Sequence, residues 1–257
     1  MARKEPKTRG DKKREKKQST KKSAKRKARR KSAPIPNQVF LAVPWKNIKQ
    51  KYEKAVKRLQ KKYPLSFIII GNDEIQDAED LFEVIKEKLV HSSYAIFDAT
   101  GGNANVSLEY GLAEANDIQR ALYLSTHKGS LKRSADTPII ADLAGKRRNH
   151  YKQQNSLSKL LHKFSRSHSY TIRFERFVKD SCRKKSRGQQ KRFRTLGLKI
   201  IHMLDGVDRV RRADIVQKMQ ADNSRYNEKE INEIIKLLHR ANLIQSQQGP
   251  HSRVRIK

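Results

Sequence analysis

The chain is poor in the residues that hold small or secreted proteins together. One of its 257 residues is cysteine, Cys182, so neither a disulfide framework nor a cysteine-rich zinc site can be assembled. Arg183, Lys184 and Lys185 follow it and favour a thiolate, but a lone thiol in so basic a run reads first as an incidental surface residue. No His, Cys, Asp or Glu spacing elsewhere suggests a metal, and no cofactor is expected. No apolar run approaches the roughly 20 residues of a membrane helix, and a membrane partner is not expected. The charged N-terminal stretch leads into no signal-peptide core, so the expected compartment is cytoplasmic and nucleoid-associated, or nuclear in a eukaryote. Acidic residues are also scarce: 26 stand against 60 Lys and Arg, a net charge of +34. That excludes a neutral surface and points to polyanionic partners.

The excess is local. Residues 1–31 hold 17 basic and 3 acidic residues, and residues 146–194 hold 17 and 2. The remainder has the near-balance of ordinary folded material. After Met1, residues 1–33 contain no aromatic residue and no aliphatic one larger than Ala, so they cannot bury enough surface to offset ordering entropy. We expect a disordered Lys/Arg-rich arm over 1–36, closed by Pro34-Ile35-Pro36, with order from about Gln38. Runs such as Lys25-Arg26-Lys27 suit a nuclear signal or a phosphate tether.

Val39-Phe40-Leu41-Ala42-Val43 before Pro44, Leu65–Ile70 before Gly71, Tyr94–Phe97 before Asp98, and Ala121–Leu124 are short apolar runs suited to strands buried on both faces. Between them, Ile48, Tyr52, Val56 and Leu59, then Leu81, Phe82, Ile85 and Leu89, then Val106, Tyr110 and Ala113 recur at helical spacing. Strand–helix alternation over residues 37–166 predicts an α/β domain, a parallel sheet with helices on both faces. Ligands bind such sheets outside the carboxyl ends of the strands. Those ends are Pro44-Trp45, Gly71-Asn72-Asp73 and Asp98-Ala99-Thr100-Gly101-Gly102-Asn103. Gly101 and Gly102 permit close approach, and the amides opening the next helix favour an anion or a carbonyl oxygen. Asn105 and Glu109, four apart, share a helix face directed at the same ends. Glu109 then serves as nucleophile, base or electrostatic stabiliser, or else as a helix-dipole carboxylate, with Asp98 as a helix cap.

The run from Val39 to Trp45, the run from Phe97 to Val106, and Glu109-Tyr110-Gly111-Leu112-Ala113 resemble the TIR-like branch of the nucleoside 2-deoxyribosyltransferase-like fold. The shared pattern is a strand ending in Asp-x-Thr-Gly, then Asn-x-Asn-Val, then Glu-x-Gly-x-Ala on a helix. It covers about residues 38–151, with Pro138 through Tyr151 similar to the family's last crossover. The resemblance implies a flavodoxin-like/TIR-like sheet and N-glycosidic chemistry on a nucleoside, nucleotide or NAD as substrate. It implies Glu109 as the catalytic carboxylate, with Asp98 and Asn105 at the ribose. The expected substrate-binding residues are Pro44, Trp45, Asp98, Gly101, Asn103 and Asn105.

Leu157, Leu160, Leu161 and Phe164 predict a last helix on the sheet. Tyr170-Thr171-Ile172-Arg173-Phe174 alternates, and we read it as one strand face within a basic connector, 167–192. Arg183, Lys184 and Lys185 there are candidate phosphate contacts. Residues 193–257 predict three helices and two short strands, an order that resembles a winged helix. Arg253 and Arg255 in its wing, with His251, suit nucleic acid, whereas Glu228, Glu230 and Glu233 on its third helix oppose phosphate. That domain otherwise docks a protein or a second copy. Joined to the glycosidase-like domain, it resembles effectors of bacterial anti-phage systems, including retron-associated ones. The expected function is therefore a nucleotide- or NAD-directed N-glycosidase or deoxyribosyltransferase-like effector on DNA or RNA. The rival is a non-catalytic nucleic-acid-binding regulator whose α/β domain senses a nucleotide.

Overall fold

Successive side chains along a strand point to opposite faces of the sheet, and apolar runs of this kind need cover on both. A computed structural model describes residues 33–45, 48–70, 81–126, 147–207, 209–223, 226–247 and 252–257. In it β1 (Ile35–Ala42), β2 (Ser66–Ile68), β3 (Ser92–Asp98), β4 (Arg120–Ser125) and β5 (Arg148–Tyr151) form one sheet, ordered β2-β1-β3-β4-β5. Every pairing is parallel. The helices α1 (Lys49–Leu59), α2 (Leu81–Val90), α3 (Ala104–Ala115) and α4 (Gln154–Ser167) cover it. Val39, Leu41, Ile96 and Tyr123 pack with Tyr52 and Val56 of α1 and Leu157 and Leu161 of α4. Phe40, Ala95, Phe97 and Leu122 face the other way, onto Leu89 of α2 and Val106, Tyr110 and Ala113 of α3.

Two boundaries differ from expectation. Strand β1 starts at Ile35, whose N–H bonds His91 O, not near Gln38. Its register with β3 shifts between Ile35 and Val39, where Pro36 has no N–H to give. Strand β5 reads Arg-Asn-His-Tyr and buries only Tyr151; a polar edge strand leaves no apolar run to detect. The rest of the arm, with Lys25, Arg26 and Lys27, lies outside the described residues, as do Gly71-Asn72-Asp73, most of the Pro138–Tyr151 crossover, and His251.

The C-terminal part comprises α5 (Ser169–Ser181), α6 (Arg187–Met203), β6 (Val210–Arg211), α7 (Arg212–Asp222), α8 (Glu228–Arg240), β7 (Ile244–Ser246) and β8 (Arg253–Ile256). Its three strands form an antiparallel sheet ordered β6-β8-β7. The strand expected at Tyr170–Phe174 is instead helix. Tyr170, Phe174, Phe177 and Val178 are buried at helical spacing, and Ile172 is 47% exposed. The helix begins because His168 Nδ1 accepts the Tyr170 N–H, and the aromatic i, i+4 pair outweighs five residues of alternation. The next helix starts at Arg187 under a Ser186–Gln189 capping box. Residues 167–192, read as a connector, are thus mostly α5, the turn that follows it and the first turns of α6. Cys182 is not on the surface: it is 2% exposed, and burial raises its thiol pKa more than Lys185 lowers it.

Pro34–Lys257 form one compact unit. The core on the α1/α4 face continues through Tyr170 and Phe174 to Ile200 of α6 and Ile231 and Leu238 of α8. Polar bonds cross the same boundary: Tyr170 OH donates to Leu243 O (2.8 Å) and Asn37 Nδ2 to Asp205 Oδ1 (2.7 Å). No helix among the described residues is long and apolar enough to cross a membrane.

Candidate functional site

From β1 the chain moves outward to β2, then returns past β1 to β3 on its other side. Connections leave these neighbouring strand ends in opposite directions, so a crevice opens between them. It holds a cavity of about 350 Å³. Pro44 and Trp45 close one side, Leu81 and Ile85 of α2 a second, and Asn103 with Asn105, Val106 and Glu109 of α3 a third. Five expected site residues, Pro44, Trp45, Asn103, Asn105 and Glu109, therefore meet around one space. The volume lies at the small end of ligand sites and suits a nucleoside-sized group. Trp45, 46% exposed, offers a ring face, and Lys49 Nζ stands 5.7 Å from its centroid.

Asn103 is the N-cap of α3. Its Oδ1 accepts the N–H groups of Asn105 (2.9 Å) and Val106 (3.3 Å). Two of the amides that the sequence offered to an anion are therefore engaged by the cap. Glu109 projects from the same helix four residues after Asn105, and burial raises its carboxyl pKa to about 7. No hydrogen bond or ion pair to its carboxylate forms among the described residues, so desolvation acts unopposed. A pKa near neutrality makes both the acid and the carboxylate accessible there, which suits acid or base catalysis, while nucleophilic or electrostatic use draws on the carboxylate.

Asp98 and Gly101 do not wall the cavity. The Asp98 side chain turns to the α1/α4 face, fully buried, where Oδ2 accepts Tyr52 OH (2.8 Å) and Tyr151 OH (2.6 Å). Its Oδ1 takes the Thr100 N–H (2.9 Å), which anchors the start of the β3–α3 loop. Burial raises its pKa, and these hydrogen bonds offset part of the rise. Asp98 is thus a buried tie between α1, β5 and the loop, and neither a helix cap nor a wall of the cavity. Gly101 has φ +79°, where an L side chain is strained, so glycine there lets the loop turn toward α3.

Among the expected nucleic-acid contacts, Arg183 and Lys184 are exposed in the turn after α5, and Lys185 lies over the Phe193 ring at 4.7 Å. Arg253 and Arg255 are exposed on β8. Near the start of α8 three of the polar residues are already engaged: Asn227 caps the helix, Glu230 pairs with Arg192 (2.7 Å), and Asn232 accepts from Arg212. Sequence reasoning missed Leu81 and Ile85, whose helical spacing marks them as core, although the cavity uses them as a wall. Among the described residues no three His, Cys, Asp or Glu side chains converge on a possible metal position. No family model matches the chain, and no curated protein matches its sequence.

Proposed function

We propose that the protein is an N-glycosidase or deoxyribosyltransferase-like enzyme acting on a nucleotide or NAD, working in association with nucleic acid. One observation carries the reading: Glu109, half-buried with a pKa near 7, opens onto a nucleoside-sized crevice at the sheet's switch point. As the bond from the sugar anomeric carbon to the base nitrogen breaks, its electron pair leaves with the base and the carbon becomes cationic. The Glu109 carboxylate stabilises that charge or captures it as an ester. Water, or a second base in a transferase, then bonds the same carbon and gives up a proton; the base leaving a nucleotide takes up that proton, whereas the nicotinamide of NAD leaves neutral and the proton passes to solvent. Trp45 supplies a stacking face for the base, and Asn105 a hydrogen-bonding group for the sugar.

The C-terminal order α6-β6-α7-α8-β7-β8 supports a winged helix, and the charge of +34 supports a polyanionic partner. A role in anti-phage defence extends this proposal on the family resemblance. The test is incubation of purified protein with NAD, ribonucleotides and deoxynucleotides, with and without DNA or RNA, followed by chromatography for free base. Release from at least one substrate supports the reading. Tight nucleotide binding with no release supports the sensor instead.

A further inference from the structure

Helix α8 is polarised: Glu228, Glu230 and Glu233 occupy its first turns, Lys236, His239 and Arg240 its last. The basic end borders two adjoining hollows of about 340 and 460 Å³ that share His239, Ser246 and Gln247. Arg209, Arg253 and Arg255 edge the first; Arg212, Lys236 and Arg240 edge the second. Neither has an acidic residue among its described walls. In the adjoining sheet Arg211 stands directly opposite Arg253 in register. Like charges in that position repel. Asp214 offsets Arg211 at 3.0 Å, but no described side chain pairs with Arg253. Arg255 Nε donates to Gln245 Oε1 (2.6 Å), a neutral partner that orients the guanidinium without cancelling its charge. Arg212 is held the same way by Asn232. Oriented, uncancelled cations in a concave surface form an anion site that needs little reorganisation.

We infer that a nucleic-acid phosphate backbone lies in this groove, across β8 and the C-terminal end of α8, with the acidic first turns of α8 outside the polymer. The inference rests on the nucleic-acid association proposed above and names its surface. Contacts of this kind fix position and carry no base information.

The test uses the full chain and fluorescein-labelled 24-mers of mixed sequence, one duplex DNA and one single-stranded RNA. Anisotropy is followed from about 50 to 300 mM salt. The groove variant Lys236→Gln/Arg240→Gln/Arg253→Gln changes three exposed side chains. The comparator Lys57→Gln/Arg58→Gln/Lys61→Gln removes the same charge from exposed positions on and just after α1. The groove variant is expected to weaken binding at least about tenfold and to lower the duplex salt slope by about three, at about 0.9 per phosphate. The comparator is expected to change affinity less than about threefold. Glu228→Gln/Glu233→Gln is expected to behave like the comparator, and tightening beyond about tenfold would place the first turns of α8 in the polymer and overturn the inference. Equal effects of groove variant and comparator overturn it while leaving nucleic-acid association standing. Failure of the unmodified protein to bind either probe at low salt removes both. The probe with the larger loss identifies the polymer.

Discussion

Replacing Glu109 by Gln should make the fold more stable while removing the charge on which the proposed chemistry depends. The carboxyl pKa rises from 4.5 to about 7 on folding because burial disfavours the anion. Between those values the folded state binds more protons than the unfolded one, so stability falls as pH rises through that window. One pKa unit corresponds to about 1.4 kcal/mol, which sets an upper limit of about 3 kcal/mol above pH 7. Solvent reaches part of the group through the crevice, so about 2 kcal/mol is the expected cost. Gln keeps the shape and carries no charge, so the variant should gain that amount at pH 8 and nothing at pH 4.5. Urea unfolding at pH 4.5, 6 and 8 reads it directly: with an m-value of about 2 kcal/mol per molar, the midpoint should move up by about 1 M at pH 8. A variant no more stable than the parent at pH 8, or offset equally at all three pH values, would show that Glu109 is not a buried carboxylate held against its solvation preference.

Asp98→Ala should cost about 2–4 kcal/mol in urea unfolding, since it strands the Tyr52 and Tyr151 hydroxyls in the core; a loss below about 0.5 would mean the tie is dispensable. His202 stands between Asp205 Oδ2 (2.8 Å) and the Tyr63 carbonyl (3.1 Å). Burial lowers its pKa, but these partners outweigh burial and leave it above the ordinary 6.5. The stability it contributes is therefore full below pH 6.5 and lost as pH rises through the folded value, so His202→Gln should cost more at pH 6 than at pH 9. An unchanged cost across that range would remove the charged clamp. In α5, Phe174→Ala should cost about 3–5 kcal/mol and Ile172→Ala under about 0.5. Equal losses would favour a shared strand face.

The central strands were legible because fully covered parallel strands must be apolar throughout, as Val39–Val43 and Tyr94–Phe97 are. The α3 face was legible for a similar reason: Asn105 and Glu109 lie four apart, and helical geometry alone puts them together. What stayed hidden depends on tertiary contacts. Tyr170–Phe174 alternates for five residues, and only the continuation to Phe177 and Val178 and the His168 cap turn it into a helix. Strand β5 has one apolar anchor, and Tyr151 is recognisable as such only once Asp98 is seen to accept its hydroxyl. Asp98 itself sits in a motif that suggests a ligand contact, while strand parity sends its carboxylate to the opposite face of the sheet.

The most direct measurement is a paired time course of free-base release by the unmodified protein and Glu109→Gln at pH 8, using the substrate and nucleic acid that give the fastest turnover. The account predicts release by the unmodified protein and none above background by a variant that is folded and more stable. Equal release by the two proteins would remove Glu109 from the chemistry, and no release by the unmodified protein from any nucleotide or NAD would contradict the enzyme itself.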